Sequence, residues 1–592
     1  MPMDDAIPGI IKNYKKKFVI LLAFSILLTG SVFFLGYFIN ALYFIGVLPA
    51  ILPAFISFLF HRKLQALRFK LELREKWGKE NARSRDFNEI ARLFRYLSNE
   101  DFEHYIVDDQ TWTDLNLNGI FCKLDRTYST PGESVLYSIL RTPSHKEEEL
   151  QKRAEIISLL QGDRELREKI QFLLAKLDRQ KSNAITELLW GNLPPNNRFF
   201  IIYSFLAMIA LLSLATPLIL GINAFLLITG LFSLNTYIHY RLSREIHPEL
   251  PAISYLSSLL RTAGSLSKLK QSGVEHYQDR LKKASAATGK ILHKTKFLFG
   301  ETGTSPEDIF LEYLKIFFLL EVRSFYSALR EIRKNRDELK EIYLIVGELD
   351  ALQSIASYRQ SLEYYAEPQF VKGAIYLEMQ EAIHPLVEKA VSNSIIVKEK
   401  NGLLITGSNM SGKSTFLRTV GVNALFAQTI CTCLAKKYLG SFFRVISSIS
   451  KSDDIGEGKS FYFTEAERLL KLILASDFEF PSLCLIDEVL SGTNYLERLA
   501  ASRAILEYLS RKNALTIVAT HDLDLAFWLK DNYLSYHFTN KVDREGLEFN
   551  YHIQEGICTS SNAIKLLEYL GYPKTIIERA GQWTSAFDSH NS

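Results

Sequence analysis

The sequence has few cysteines and little net charge. Its five cysteines form no CxxC pair, and none stands near a histidine at the spacing of zinc ligands. These absences argue against a zinc-binding motif, and nothing indicates an oxidising compartment. The net charge of +4 over 592 residues gives no whole-chain indication of nucleic-acid binding, although a local basic patch could still bind it. A chain of this length is expected to contain several domains.

Charged residues are missing from two long apolar runs, residues 18–60 and 199–240. A membrane-spanning helix needs about 20 residues, so each run is long enough for a hairpin of two spans. We place the first pair at Phe18–Ile39 and Leu42–Phe60. Basic residues flank both hairpins, which predicts that their ends lie in the cytoplasm. The alternative is a pair of buried helical hairpins in a soluble core.

The rest of the chain changes character near residue 371. Before it, apolar residues recur at helical spacing, as in residues 147–176. After it, short apolar runs at Leu403–Ile405, Leu483–Ile486 and Leu515–Ala519 alternate with helical stretches. This alternation predicts a parallel sheet covered by helices. The expected fold is therefore a C-terminal α/β domain preceded by a mostly α-helical region with about four transmembrane helices.

A phosphate-binding loop follows the first of these strands. The pattern G-x-x-x-x-G-K-[ST] is matched from Gly407 to Ser414. Glycines let backbone N–H groups face phosphate oxygens, and the helix N-terminus adds its positive end. Lys413 would reach the β- and γ-phosphates of ATP, and Ser414 would place its hydroxyl on Mg²⁺. The predicted nucleotide-binding residues here are Gly407, Ser408, Asn409, Met410, Ser411, Gly412, Lys413, Ser414 and Thr415.

Polar residues also follow the other two strands. Asp487 would hold Mg²⁺ through water, and Glu488 would orient or deprotonate the attacking water. His521 would hydrogen-bond the γ-phosphate. The carboxyl ends of parallel strands meet at one edge of a sheet, so these side chains are expected to lie together. The pattern predicts a P-loop ATPase with ATP and Mg²⁺ as cofactors, Glu488 and His521 as catalytic residues, and Ser414 and Asp487 as metal ligands.

These motifs resemble the MutS family, the ABC-related ATPases of DNA mismatch repair. The stretch ITGSNMSGKST, which begins at Ile405, is similar to the family's TGPNMGGKST loop. The stretch HPLV from His384 resembles the family's His-Pro motif, and ATH ending at His521 matches its counterpart. The resemblance covers residues 380–582 and implies a MutS-type engine.

The same resemblance implies a dimer. The stretch GKSF around Ser460 is similar to a family segment whose serine contacts the nucleotide held by the other subunit. Ser460 is therefore expected to bind nucleotide across a homodimer. The ending from Gly571 to Ala580 resembles the family's dimerising helices.

A weaker resemblance extends upstream. Residues 114–143 resemble the MutS core domain, and Glu341–Ala366 resembles its long lever helix. The family's mismatch-reading domain should precede the core, where this chain has an apolar hairpin and a short charged helix. The family's aromatic adenine platform falls near Ile395, which is not aromatic. The resemblance thus implies a membrane-anchored variant that lacks the mismatch-recognition domain.

These features divide the chain into five segments. We predict a basic segment with the first hairpin over 1–60, a core-like region over 61–198, the second hairpin over 199–240, a lever-like region over 241–370, and the ATPase domain with dimerisation helices over 371–592. The ATPase domain is expected on the cytoplasmic side of a multi-pass membrane protein.

Three functions fit this organisation. The first is a dimeric, membrane-anchored MutS-like ATPase that acts on DNA, in a process like mismatch repair or on another DNA structure. The second is an ATP-driven membrane mechanotransducer with an unidentified protein partner. The third is half of an ABC-type transporter, but in transporters LSGGQ precedes the acidic pair, whereas Leu490–Thr493 follows it.

Overall fold

The structure is a computed structural model. It describes residues 6–100, 105–180, 182–194, 200–269, 271, 273–295, 298, 313–398, 400–408, 411–449, 461–490, 493–543, 546–557, 564, 567–568 and 570–591. The chain forms two compact units, Met1–Lys79 with Asp163–Lys176, and Glu80–Gly162 with Leu177–Ser592. The five-segment division made above stays a prediction.

The smaller unit contains the first helical hairpin. Its helices, Ala6–Phe38 and Val47–Lys76, are joined by a short 3₁₀ helix, Ala41–Gly46. Asn40 starts this turn, since its side chain accepts a hydrogen bond from the Leu42 N–H at 2.9 Å. The second helix continues past Phe60, where the apolar run ends, so the charged residues that follow belong to the same helix rather than to a separate one.

Four helices among the described residues are long and apolar enough to cross a membrane. They lie within Gly9–Phe38, Leu42–Lys76, Phe200–Ile219 and Gly221–Ile246. Many of their large apolar side chains are exposed, including Leu27 at 70% and Leu218 at 90%. Exposed apolar surface of this extent is unusual for a protein surrounded by water. The membrane crossing itself stays a prediction.

Helices form the first part of the larger unit. The many charges of residues 313–352 predict long, partly exposed helices, but the long helix Arg336–Gln360 is mostly buried. It overlaps the lever-like segment Glu341–Ala366, whose assignment stays a prediction. Its Asp350 accepts hydrogen bonds from the backbone N–H of Tyr128 and Ser129 at 3.0 and 2.8 Å. The helix Arg164–Leu177 belongs to the smaller unit, apart from its last residue. The described helices of this part of the larger unit are Phe87–Ile90, Arg92–Glu100, Asp109–Asp114, Leu117–Leu124, Thr130–Arg141, Glu147–Gly162, Ala184–Trp190, Phe200–Ser213, Pro217–Leu220, Ala224–Ile246, Leu250–Leu266, Glu275–Thr295, Leu320–Lys334 and Arg336–Gln360.

The C-terminal part contains two sheets. One has the order β1-β5-β2-β3 and the other β10-β9-β4-β8-β7-β6. The strands are β1 (Gln369–Phe370), β2 (Leu377–Ala382), β3 (Asn393–Val397), β4 (Gly402–Thr406), β5 (Lys437–Gly440), β6 (Arg444–Ser448), β7 (Ser482–Asp487), β8 (Ala514–Thr520), β9 (Leu534–Asp543) and β10 (Gly546–Glu555). The accompanying helices are Lys413–Thr429, Phe461–Ala475, Tyr495–Leu509, Leu523–Trp528 and Lys574–Asn591.

The larger sheet confirms the three predicted strands. They are β4, β7 and β8, which lie side by side and run parallel. Helices cover the central strands, so β4 and β8 are buried along their whole length, as their uninterrupted apolar sequences predict. The hairpin of β9 and β10 was not predicted, and β9 extends the sheet beside β4.

The buried side chain of Arg359 joins the long helix to the C-terminal part. Its guanidinium donates to the Thr432 hydroxyl at 2.7 Å, to the Cys431 carbonyl at 2.6 Å and to the Glu367 carboxylate at 2.8 Å. Thr432 and Cys431 come directly after the helix Lys413–Thr429. This contact therefore fixes the far end of the helix that begins at the phosphate loop.

We expect Arg359→Met to destabilise the protein by roughly 3 kcal/mol, because two buried acceptors would lose a charged donor. Thermal unfolding of the purified protein in detergent would show this as a lower Tm. Arg511→Met, at an exposed arginine, is the control and should leave the Tm unchanged. Equal Tm values for the two variants would contradict the assignment.

Candidate nucleotide-binding site

The phosphate loop leaves β4 through glycines that a side chain could not replace. Gly407 and Gly412 have φ angles of +147° and +106°. A Cβ atom at Gly407 would lie 2.9 Å from the carbonyl oxygen of Phe538. The hydroxyls of Ser408 and Ser411 are buried and have no hydrogen-bond partner among the described residues. Two hydroxyls in this state suit a loop built to receive phosphate oxygens.

Lys413 is the first residue of the helix after the loop. Its ammonium group donates to the carbonyl oxygens of Gly407 and Ser408, both at 2.8 Å. The charge therefore lies inside the loop, where phosphate oxygens can replace the carbonyls. Asn409, Met410 and Ser460, which were also predicted to bind nucleotide, lie outside the described residues.

The two predicted metal ligands touch each other. The Ser414 hydroxyl donates a hydrogen bond to the carboxylate of Asp487 at the end of β7. A hydroxyl and a carboxylate are hard oxygen donors of the kind that Mg²⁺ prefers. The pair therefore fits a Mg²⁺ ion bound beside the phosphate loop, with Ser414 as a direct ligand and Asp487 beside it.

The two predicted catalytic residues also touch each other. His521 Nδ1 lies 3.0 Å from Glu488 Oε1, and this hydrogen bond raises the pKa of His521. Glu488 has a φ of +62°, which is unusual for a residue with a side chain, and its N–H donates to the Ala519 carbonyl at 2.8 Å. The ends of β7 and β8 thus hold both side chains at one edge of the sheet, as predicted.

A cavity of about 660 Å³ is lined by six of the predicted site residues. Gly412, Lys413, Ser414 and Thr415 form one wall, and Asp487 and Glu488 lie on it as well. Gly407, Ser408, Ser411 and His521 stand behind or beside this surface and do not line it. The volume is typical of a small-molecule site.

Sequence reasoning missed the opposite wall. Phe538 and Tyr551 of the β9–β10 hairpin line it, and Tyr551 lies over Gly412, where an added Cβ atom would be 3.3 Å from the tyrosine ring. Asn393 fixes the hairpin, because it donates to the Tyr551 carbonyl at 3.0 Å and accepts from the Ile553 N–H at 2.8 Å. Ile395, near which the family's aromatic adenine platform would fall, does not line this cavity, because its side chain is buried and lines a different one.

His384 is another wall residue whose role the sequence did not define. Its Nδ1 accepts a hydrogen bond from the Leu386 N–H at 3.2 Å, which leaves the proton of the neutral ring on Nε2. Burial lowers the pKa of His384 to about 4, so the ring is neutral near pH 7. Nε2 is buried and has no hydrogen-bond partner in the part of the chain that the structure describes. His384 therefore offers an unused N–H donor in the wall of the cavity.

Comparison with known proteins agrees with this geometry. Residues 403–588 match the family model described as MutS domain V. The chain is 32% identical over 269 residues to the DNA mismatch repair protein MutS of Thermotoga maritima, covering 44% of this chain and 33% of the relative. It is 33% identical over 266 residues to MutS of Thermus thermophilus, with 44% and 32% covered. These matches support the MutS family for the C-terminal part.

A further relative matches over a similar length of this chain. MutS of Natronomonas pharaonis is 29% identical over 282 residues, which covers 46% of this chain and 32% of that protein. The chain thus spans about a third of the length of the curated relatives it matches.

We expect Lys413→Ala to abolish ATP binding and Glu488→Gln to preserve binding but stop turnover. The lysine charge acts on the bound phosphates, whereas the glutamate acts on the attacking water. Binding of a fluorescent ATP analogue and release of phosphate would be measured for both. Normal hydrolysis by the glutamine variant would refute the role of Glu488 as the base.

His384→Phe should weaken nucleotide binding by about tenfold, because a hydrogen bond in a buried site is lost. His384→Gln retains an N–H donor at a similar distance from the backbone and serves as the matched control. The dissociation constant of the same ATP analogue would be compared among the three proteins. If the phenylalanine variant binds as tightly as the unchanged protein, the Nε2 donor does not contact nucleotide.

Proposed function

We propose that this protein is a membrane-anchored, MutS-like ATPase that binds and hydrolyses ATP as a dimer and couples this cycle to DNA. The contact between Ser414 and Asp487 beside Lys413 is the observation that carries the ATPase assignment. It brings a phosphate-binding cation, a Mg²⁺ ligand pair and the base candidate Glu488 to one cavity. These groups come from two segments of the sequence, the phosphate loop with Lys413 and Ser414 and the end of β7 with Asp487 and Glu488.

Hydrolysis in this site would divide the work among the chain's own residues. The loop N–H groups and Lys413 hold and neutralise the phosphates, and Ser414 with Asp487 holds the ion. Bound Mg²⁺ supplies further charge for the β- and γ-phosphate oxygens. Glu488 would orient the attacking water and take its proton, since a carboxylate can accept at its second oxygen while His521 Nδ1 bonds Oε1. His521 would donate to the γ-phosphate through its other ring nitrogen, Nε2.

The dimer is proposed from the likeness of the Ser460 segment to the MutS family. The cavity lies at an accessible edge of the sheet, where residues of a second copy could reach a bound nucleotide. A site of this kind is incomplete in a single chain. Turnover by the dimer would therefore require one Ser460 and one Lys413 from different copies at each site.

A mixture of Ser460→Ala and Lys413→Ala proteins tests this arrangement. Each variant alone should be inactive, since both of its sites lack one component. In mixed dimers one site has an intact Lys413 and an intact partner serine, so about a quarter of the normal phosphate release should return at equal mixing. No recovery after subunit exchange is confirmed would count against completion across the dimer.

Membrane anchoring is proposed from the four long apolar helices and the extent of their exposed apolar surface. The orientation follows from the basic flanks, which place the ATPase domain at the cytoplasmic face of the cytoplasmic membrane. Resistance of the protein to carbonate extraction from membranes would test the anchoring, and release into the soluble fraction would refute it.

The DNA role is proposed from the names of the matching relatives, which are DNA mismatch repair proteins. The ATPase rate would be measured against mismatched, branched and perfectly paired DNA, in detergent and in vesicles. Stimulation by one of these structures would identify the substrate class. No binding to any of them in a low-salt filter assay would refute the DNA role and leave the ATPase assignment intact.

A mechanotransducer with a protein partner is the second candidate. It is favoured by the helices Leu320–Lys334 and Arg336–Gln360, which extend from contacts with the second apolar hairpin, at Tyr203 and Asn235, to Arg359. A pull-down with nuclease treatment separates the two functions. A partner that survives nuclease treatment would favour the mechanotransducer, and a partner that is lost with the DNA would favour the first function.

A further inference from the structure

A group of basic side chains projects from two neighbouring helices of the larger unit. Lys290 and Lys294 belong to Glu275–Thr295, and Arg330, Arg333 and Lys334 belong to Leu320–Lys334. All except the partly buried Lys294 are exposed. We call these five residues the basic cluster.

The basic cluster lies where the second apolar hairpin begins. The Arg330 guanidinium is 4.9 Å from the ring centre of Phe200, the first residue of the span Phe200–Ile219. Arg333 donates to the carbonyl of Pro194 at 2.8 Å, a few residues before the span. Deeper along the same pair of helices, Tyr203 stacks on Tyr326 at 6.4 Å. Arg330 and Arg333 are therefore at the level where hydrocarbon gives way to headgroups.

The positive charge of the cluster is only partly balanced. Lys294 pairs with Glu331 at 2.7 Å, and this hydrogen bond lowers the pKa of Glu331. Glu331 also interacts electrostatically with Lys290 and Lys334. Three of the five cations thus interact with Glu331, and the described residues show Arg330 on the Phe200 ring and Arg333 on the Pro194 carbonyl instead. Asp337 and Glu338 follow in the first turn of the next helix, where their negative charge interacts favourably with the positive N-terminal end of that helix.

We propose that the basic cluster binds the phosphate groups of anionic lipids in the leaflet from which the second hairpin enters the membrane. This inference rests on the proposed membrane anchoring. Arginine suits phosphate through its fork of N–H donors, and the lysines add charge at the same level. Clusters of basic residues next to a span attract anionic lipid surfaces in this way.

Nucleic acid also presents phosphates, but the location of the cluster favours lipid. Arg330 is in contact with the first ring of a predicted span, and a rigid duplex could not reach that level without displacing lipid headgroups. A lipid phosphate reaches it without any rearrangement of the protein. The second hairpin and the helix Leu320–Lys334 would then be fixed to the leaflet by charge as well as by apolar surface.

The test uses the full chain reconstituted into bilayers of phosphatidylcholine and phosphatidylglycerol. The variant Lys290→Gln, Arg333→Gln and Lys334→Gln removes three exposed charges of the cluster. The control, Lys471→Gln, Arg511→Gln and Lys530→Gln, removes three exposed charges from the ATPase domain. After mild detergent extraction, the phosphatidylglycerol that remains bound to each protein is measured by mass spectrometry.

We expect retained phosphatidylglycerol to fall by about threefold or more in the cluster variant and to be unchanged in the control. Equal retention in both variants would overturn the proposal. Loss of duplex DNA binding in the cluster variant, with unchanged lipid retention, would assign the cluster to nucleic acid instead. Carbonate extraction of each protein is run in parallel, since an unanchored protein would refute membrane anchoring itself, and the lipid site with it.

Discussion

The helix Lys413–Thr429 is held at both ends, and this constraint connects the phosphate loop to the helical part of the larger unit. Its first residue places an ammonium group inside the phosphate loop. Its last turn is held by the helical part, because the Gln428 carbonyl accepts from the Ser144 N–H at 2.9 Å and the Thr429 carbonyl accepts from Arg153. The end of the helix that is distant from the phosphate loop is therefore anchored to the helical part.

The middle of this helix is fixed as well. An added Cβ atom at Gly421 would lie 2.5 Å from Leu485 in β7 and 2.9 Å from Leu115 in the helical part. The neighbouring Asp114 accepts from the Ser447 hydroxyl at 2.7 Å and from the Ile449 N–H at 2.9 Å, at the end of β6. The helical part thus contacts both the nucleotide helix and the strand that leads toward Ser460. The helical part therefore supports both the helix that follows the phosphate loop and the end of β6.

Local sequence patterns predicted the parts of the site that are continuous in the chain. Buried parallel strands are uniformly apolar, so β4, β7 and β8 could be recognised, and with them the positions of Lys413, Asp487 and Glu488. Tyr551 could not be found in this way, and the role of His384 could not be assigned from its motif, because both residues reach the cavity only through tertiary packing. The burial of Arg336–Gln360 was missed for a related reason, since its many charged residues are paired or hydrogen-bonded inside the unit.

The long helices of the helical part are interrupted at two described positions, which differ in how strongly they break the helix. Leu320–Lys334 and Arg336–Gln360 are separated by Asn335 alone, and the Asn335 side chain donates back to the Glu331 carbonyl at 2.9 Å. At the other end, Leu319 has a φ of +49°, and the Phe317 carbonyl accepts from the Asn235 side chain at 2.7 Å. A left-handed residue interrupts a helix more than a capped junction does. Among the described residues, the sharper break in this series therefore lies at Leu319, beside the apolar hairpin. In the proposed coupling of ATP turnover to the membrane, a displacement would pass from Arg336–Gln360 to Leu320–Lys334 and meet this break next to the hairpin.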